Sequence, residues 1–566
     1  MFHKRLEEVN NPIIYIFSAV AVSCICYGIY NDFRGLSILI GALFFIYIFF
    51  YFGIEFDIFI AVFFIVGLYI NTAYYKIIYN IDNAVRIIEI NNYNIIGKVD
   101  GKNIILDSRY DFSEGKKYHI KGTVSDSRDT YEGVCGILKP YEIYPLEDDF
   151  LSRMYQFKKN IFYALKENIG ERRAGLITSM AFGGSKNIDS EDKDDMKNYG
   201  IIHSICVSGL HVAIVYGFLK YFLGNKIGLI FCALYVMFTG SNYASIRAFV
   251  MLSSVEGAKL FKRNNNSLSA LSLSALILLI YKPYSIMEIS FHLSYLATLG
   301  IILLNRNINC KLYKFPDKLR DNLSVTLSAQ AFTFPYMIIV FRDFSLNFIL
   351  GNLLLIPFVN ILVILGNMLI PVYNIPCIFD FISYICMYII RLMDLVISKM
   401  NMYSLPMFYG NEYTAFFYLW LIISYYFMKK GYKKMIYLPV ISVFVIAISM
   451  YSPVLNIKYY REGALLVSYK GDRILVSTKK EIDMDRLSKA ANSTESYKIE
   501  KSINFKGQCS LRVLKNDYIL KVRNKEILLK MSSNKNYYGD YDIISFKDGP
   551  VNGVYIVDDK LIEICS

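Results

Sequence analysis

The chain has 566 residues, of which 55% are hydrophobic, 16% aromatic and 19% charged. Soluble domains carry nearer a quarter charged residues, so this composition excludes a purely soluble protein and points to a polytopic membrane protein with soluble parts. A net charge of +13 does not argue for a nucleic-acid partner, because cytoplasmic loops of membrane proteins collect Lys and Arg. The ten cysteines, without CxxC spacing, give neither a zinc site nor a disulfide framework.

The opening MFHKRLEEVNN leads into a long apolar segment with no small-residue cleavage site, which reads as a retained anchor. Segments 13–30, 36–54 and 58–75 are each long enough to cross a hydrocarbon core. They form an N-terminal three-helix membrane segment, 1–76. Lys4 and Arg5 favour a cytoplasmic N-terminus, so three crossings deliver the next segment outside. That segment, 77–150, reads as short strands: 94–98 and 103–107 flank an Asp100-Gly101 turn, and 117–124 and 134–144 add more. An external small β-barrel of OB-like form is expected, and with it a candidate nucleic-acid face. Acidic residues slightly outnumber basic ones there, which argues against strong phosphate binding.

Segment 151–200 is read as amphipathic interfacial helices. Leu151, Met154, Phe157, Ile161, Leu165 and Ile169 recur at helical spacing, with Arg153, Lys158, Lys159 and Lys166 between them. The following apolar run is too short to span and breaks at Gly183-Gly184. Segment 201–452 holds about ten further apolar stretches: 203–222, 227–240, 244–260, 268–281, 289–304, 325–341, 346–371, 375–399, 414–428 and 435–451. About 13 transmembrane helices are expected in all. With the first of these starting outside, the loops 220–226, 262–267, 305–323 and 429–434 are cytoplasmic, and these are the Lys/Arg-rich ones. The C-terminal domain, 453–566, is then external, basic and mostly β, with hairpins around Lys470-Gly471 and Asn524.

Within the membrane part, YGIIHSICVSGLHVAIVYGF (199–218) places two of the five histidines in an apolar segment. If helical, His203, Ser204, Val207, Ser208 and His211 lie near one stripe. Polar groups at membrane depth are costly unless paired or wetted, so the cluster is a functional candidate. A Ser-Gly packing notch with interhelical histidine bonds is the plainer reading.

HSICVSGLHV, with His203, Ser208, Gly209 and His211, resembles the competence domain of the ComEC family, channels that carry single-stranded DNA into bacteria during natural transformation. TGSNYASIRAFVM matches a second block through Thr239, Gly240, Arg247, Ala248 and Met251. KPYSIMEISFHLSYLATLGI matches a third through Pro283, Phe291, Leu293 and Ser294, with His292 where the family usually has Gln. AQAFTFPYMIIVFRDFSLNFILGNLLLIPFV matches a fourth through Gln330, Pro335, Phe341, Asn352 and Pro357.

The resemblance implies a multi-pass bacterial plasma-membrane protein that translocates single-stranded DNA. Its implied partners are the DNA strand, the lipid bilayer, a DNA receptor, a cytoplasmic ATPase or helicase and a separate nuclease. No P-loop is present to drive transport from this chain. The DNA path would be lined by His203, Ser208, Gly209, His211, Arg247, His292, Gln330, Asn352 and Pro357. Arg247 needs water, a phosphate or a carboxylate such as Glu288. Gln330 and Asn352 serve equally as interhelical glue, and Pro335 and Pro357 interrupt helices where backbone can line a wet cavity.

Many family members end in a metallo-β-lactamase-type nuclease domain. After Tyr451 this chain has no histidine, and its tail is about half the length of such a fold. It reads as a truncated, metallo-β-lactamase-like remnant without nuclease activity, metal or cofactor; Asp540 and Asp542 read as surface acids. The alternatives are an intramembrane serine hydrolase built on Ser208 and a histidine, and a diverged non-DNA transporter or scaffold.

Overall fold

The computed structural model describes residues 11–565 apart from 77–78, 92–93, 185, 206, 261, 263–265, 461, 478–481, 499–501, 506–508, 515–516, 523–524, 532–540, 547–550 and 558–559. Lys4, Arg5, Asn524 and Asp540 therefore lie outside the described residues. The chain divides into two compact units, Met1–Phe332 with Ser345–Leu405, and Thr333–Phe344 with Pro406–Ser566.

The first unit opens with α1 (Pro12–Tyr30), α2 (Arg34–Phe52) and α3 (Ile54–Tyr74). Their polar groups are satisfied internally, as lipid demands: buried Asn71 donates to Gly67 O at 2.9 Å and to Cys24 Sγ at 3.1 Å. Next come β1 (Asn80–Ile90), β2 (Ile95–Val99), β3 (Lys102–Leu106), β4 (Lys117–Ser125) and β5 (Val134–Pro145), a closed barrel in the order β1-β2-β3-β5-β4. Asp100 and Gly101 both take positive φ, 48° and 86°, the conformation of a twisted two-residue hairpin turn. Alternation puts Tyr118, Ile120 and Val124 of β4 inside, against Val85, Ile87 and Leu138.

Asp149 joins the barrel to α4 (Phe150–Ile169). Its carboxylate pairs with Arg86 and, at 3.0 Å, with Lys117, and it caps the helix by accepting from Ser152 N–H at 2.9 Å. The Arg86 hydrogen bond holds its carboxyl well below the usual carboxylate range. α4 carries the expected apolar face. That face is buried through Ile161, Leu165 and Ile169 in the helical core, against α5 (Glu171–Phe182), which ends at Gly183 as expected.

The remaining helices of this unit are α6 (Ser190–Asn198), α7 (Gly209–Phe238), α8 (Tyr243–Leu260), α9 (Ser267–Tyr281), α10 (Ile289–Lys311), the first part of α11 (Asp317–Val340), α12 (Phe348–Leu350), α13 (Ile356–Val372) and α14 (Pro376–Asn401). A π-helical turn, Gly351–Leu355, separates α12 from α13. The barrel rests on one end of this bundle: Tyr74 at the end of α3 donates to Gly133 O at 2.9 Å, and Asn103 donates to Tyr284, between α9 and α10, at 3.1 Å.

The second unit contains the last turns of α11, β6 (Asp343–Phe344) paired with β7 (Phe408–Tyr409), and the hairpin of α15 (Glu412–Lys429) and α16 (Tyr437–Met450). Its strands are β8 (Leu455–Tyr460), β9 (Ala464–Tyr469), β10 (Asp472–Ser477), β11 (Glu495–Lys498), β12 (Ser502–Phe505), β13 (Cys509–Leu514), β14 (Asp517–Val522), β15 (Lys525–Lys530), β16 (Asp542–Ser545), β17 (Val551–Val557) and β18 (Lys560–Cys565). They form one sheet in the order β11-β10-β9-β8-β17-β18 and another in the order β12-β13-β14-β15-β16. Ile457 and Val467 of the first share a core with Leu520 and Leu529 of the second. Met484 and Leu487 of α17 (Met484–Ala491) cover the first sheet's other face through Leu466 and Leu475.

Each apolar segment expected from the sequence falls largely on helix among the described residues, although 203–208 precede the start of α7. Nine helices among the described residues are long and apolar enough to span, against about 13 expected. The difference has local causes. α9 is short, α8 carries Arg247, Glu256 and Lys259, and α15 is diluted by tyrosines. α7 holds two expected segments: Gly224 within it adopts φ 76° and ψ 174°, a region open essentially to glycine alone. Thirty helical residues would extend about 45 Å, yet the chain at both ends of α7 meets one glycine. A Cβ added to Gly183 would lie 2.9 Å from Thr239 O and 3.7 Å from Val207 Cγ2. α7 is therefore folded back at Gly224.

Candidate functional site

The stretch 199–218 is not one helix. His203 lies on a 3-10 turn, Ile202–Ser204, and α7 begins only at Gly209. The break is held by neighbours: a Cβ on Gly351, in the π turn, would fall 2.2 Å from Tyr199 O. Asn347 donates to Asn198 O at 3.3 Å and to Leu405 O at 2.8 Å, and Ser345 also donates to Asn198 O. The fourth sequence block thus clamps the approach to the first. The helical stripe expected to join His203 to His211 does not form; His203 is exposed and His211 is fully buried.

His211 caps its own helix. Its Nδ1 accepts from the backbone N–H of Ser208 at 3.3 Å, which leaves the proton of a neutral ring on Nε2. Buried Nε2 has no partner among the described residues. The same bond weakens the hydrolase alternative, because the ring nitrogen facing Ser208 is engaged by its backbone instead of its hydroxyl.

Arg247, in the second turn of α8, reaches across to this helix start. A Cβ on Gly209 would lie 2.5 Å from its Nη2, so the glycine of the Ser-Gly pair makes room for a guanidinium. Arg247 makes no salt bridge among the described residues, and its buried Nε has no partner there. The Glu288 ion pair weighed from the sequence is not formed; Glu288 instead accepts from Tyr243 at 3.5 Å. Nearby Ser245, also on α8, has a fully buried hydroxyl without a partner among the described residues. Gly209, His211, Ser245 and Arg247 therefore present donors, with positive charge and no ion-paired acid among the described residues, on facing helix starts.

The other expected residues sit on separate elements. His292 is half-buried in the first turn of α10, whose Phe291 makes a ring contact with Tyr243 of α8 at 6.4 Å. Gln330 is half-buried on α11, Asn352 is half-buried in the π turn, and Pro357 is exposed at the start of α13. Pro335 lies inside α11.

Two groups had no distinct sequence signal. Lys158 of α4 lies 4.9 Å from the ring centre of Phe238 and 5.2 Å from that of Tyr155, and donates to Phe182 O at 3.4 Å beside the Gly183–Thr239 junction. Burial pushes its ammonium down to about 8. Where α7 folds back, Glu256 of α8 accepts from Lys220, Asn225 and Lys259, each at 3.1 Å. A basic residue between apolar ones reads as a snorkelling side chain, so only the fold distinguishes Lys158.

The model of the family described as Competence protein matches residues 180–431. ComE operon protein 3 of Bacillus subtilis (strain 168) is 25% identical over 228 residues, covering 39% of this chain and 29% of that protein. The uncharacterized protein YcaI of Escherichia coli (strain K12) is 26% identical over 208 residues, 33% of this chain and 28% of its own. An uncharacterized protein of Aquifex aeolicus (strain VF5) is 34% identical over 159 residues, 26% of this chain and 38% of its own. The chain thus aligns with less than two-fifths of the length of each of these relatives. No solved structure matches it.

Proposed function

From the premise that this chain belongs to the Competence protein family through residues 180–431, we propose that it is the membrane channel through which one strand of transforming DNA enters the cell. The observation that carries this reading is Arg247. Its guanidinium is seated against Gly209 without a carboxylate partner among the described residues. An unpaired guanidinium among apolar helices is costly unless water or an anion compensates it, and a phosphodiester meets its planar fork well. A neutral His211 adds a hydrogen-bond donor without adding charge. One cation with neutral donors around it holds a passing phosphate weakly, which transit along successive sites requires.

In this reading the barrel is an external, OB-like domain at the mouth of the path. The Lys/Arg-rich turns at the other helix ends face the cytoplasm, as the positive-inside rule directs. His203, His292, Gln330, Asn352 and Pro357 line later or earlier parts of the same route. Energy comes from a cytoplasmic ATPase or helicase, a receptor delivers the DNA, and a separate nuclease removes the other strand.

The test is a deletion strain complemented with wild type or Arg247→Gln and fed end-labelled duplex. Wild type should bring label into a nuclease-protected, single-stranded pool, and the variant should not, at equal membrane abundance. Equal protection of label in both would defeat the channel reading.

A further inference from the structure

The second unit encloses a cavity of about 450 Å³ that the transport reading does not use. Its walls come from the first turn of α15, the end of α16 and the strands β8, β9, β10 and β17. Arg473 of β10 is 7% exposed and lines it. Nη2 of Arg473 donates to Ala491 O at 2.7 Å and its side chain lies over the Tyr413 ring at 5.9 Å, while its Nε has no partner among the described residues. The buried Oδ1 of Asn456, on β8, also has none. Lys458 pairs with Glu412 at 2.8 Å, and Arg342 approaches the same carboxylate at 3.8 Å. Two cations thus share one carboxylate while buried Arg473 has no acid beside it among the described residues, and this surplus of positive charge suits an anion.

The location selects which anion. α16 is apolar and long enough, with the turn before it, to span a bilayer. Its last residues, Ile448, Ser449 and Met450, line the cavity together with the cations and amide of the strands, so a polar site adjoins the end of an apolar helix. That pairing of polar with apolar matches the make-up of a membrane lipid. Tyr413 and Ser449, hydrogen-bonded at 2.9 Å, tie the two helices together at the cavity. We propose that this cavity holds the phosphate headgroup of an anionic membrane phospholipid, gripped by Arg473 and Lys458, with its acyl chains running down α16.

The test uses the full chain in phosphatidylcholine nanodiscs with and without phosphatidylglycerol, with retained lipid read by native mass spectrometry. Wild type should retain phosphatidylglycerol in preference to phosphatidylcholine. Arg473→Gln should weaken retention at least about tenfold, equivalent to about 1.4 kcal/mol. Arg473 also supports the strand it sits on, so Ser449→Trp, which fills the cavity and leaves every cation in place, should give the same loss at equal yield of folded protein in the nanodisc. Equal retention by wild type and Ser449→Trp would overturn the proposal, as would indifference between the two lipids. Inorganic phosphate and an oligothymidylate serve as competitors. Displacement of the lipid by either would assign the cavity to a soluble phosphate or to DNA and overturn the lipid assignment.

Discussion

At the scale of single residues, Gly209 and Arg247 make separable predictions. Adding a methyl at Gly209 places it 2.5 Å from the end of a flexible side chain, so the guanidinium moves and the helix stays. Gly209→Ala should therefore depress DNA uptake while leaving thermal stability near wild type. Arg247→Gln removes the cation that, in the proposed reading, would hold a passing phosphate through charge-assisted hydrogen bonds worth about 1.5–3 kcal/mol each, and uptake of labelled DNA should fall about tenfold or more. Full uptake by both variants would show that the seat of the guanidinium is irrelevant to transport. Asp149 gives a pH prediction outside the membrane. Its folded-state value lies below the unfolded value of about 3.9, so its stabilisation is complete above about pH 4 and is lost as pH falls from there toward the folded value. Calorimetry of Asp149→Ala should show a penalty of about 1–2 kcal/mol at neutral pH, shrinking as the medium is acidified. A penalty independent of pH would assign the effect to packing.

At the scale of elements, α7 is where sequence and structure part most usefully. Two apolar runs around Lys220–Lys226 are visible in the sequence, yet only the backbone at Gly224 and the shared contact at Gly183 establish the fold-back. Spin labels at positions 210 and 237 should sit well under the roughly 40 Å that a straight helix would impose; a distance near that value would refute the fold-back. Gly224→Ala forces a side chain into a backbone region it rarely adopts, at about 1–3 kcal/mol, and should lengthen that distance or deplete the protein. The barrel strands were legible because alternation and the Asp100-Gly101 turn are local signals. The break before α7 was not, because long-range contacts from Gly351 and Asn347 impose it on an apolar stretch. For the same reason the motif residues Gly209, His211 and Arg247 could be named in advance, whereas their mutual seating, and Lys158 among its rings, could not.

At the scale of the molecule, sidedness is the remaining prediction. The barrel touches the helix ends at Tyr74 and Tyr284, and the lysine-rich turn after α10 lies at that helix's other end. With charge bias setting orientation, a membrane-impermeant maleimide should label Tyr131→Cys in intact cells, and Lys314→Cys only after permeabilisation. Labelling of both from one side would reverse or break the proposed topology. The meeting of Gly183, Val207 and Thr239 bears on how such a protein could open. Three segments of chain converge there on one glycine, where an added methyl would lie 2.9 Å from Thr239 O and 3.7 Å from Val207 Cγ2. If the protein conducts as proposed and these segments part together, single-molecule current records should jump between two levels instead of drifting through many.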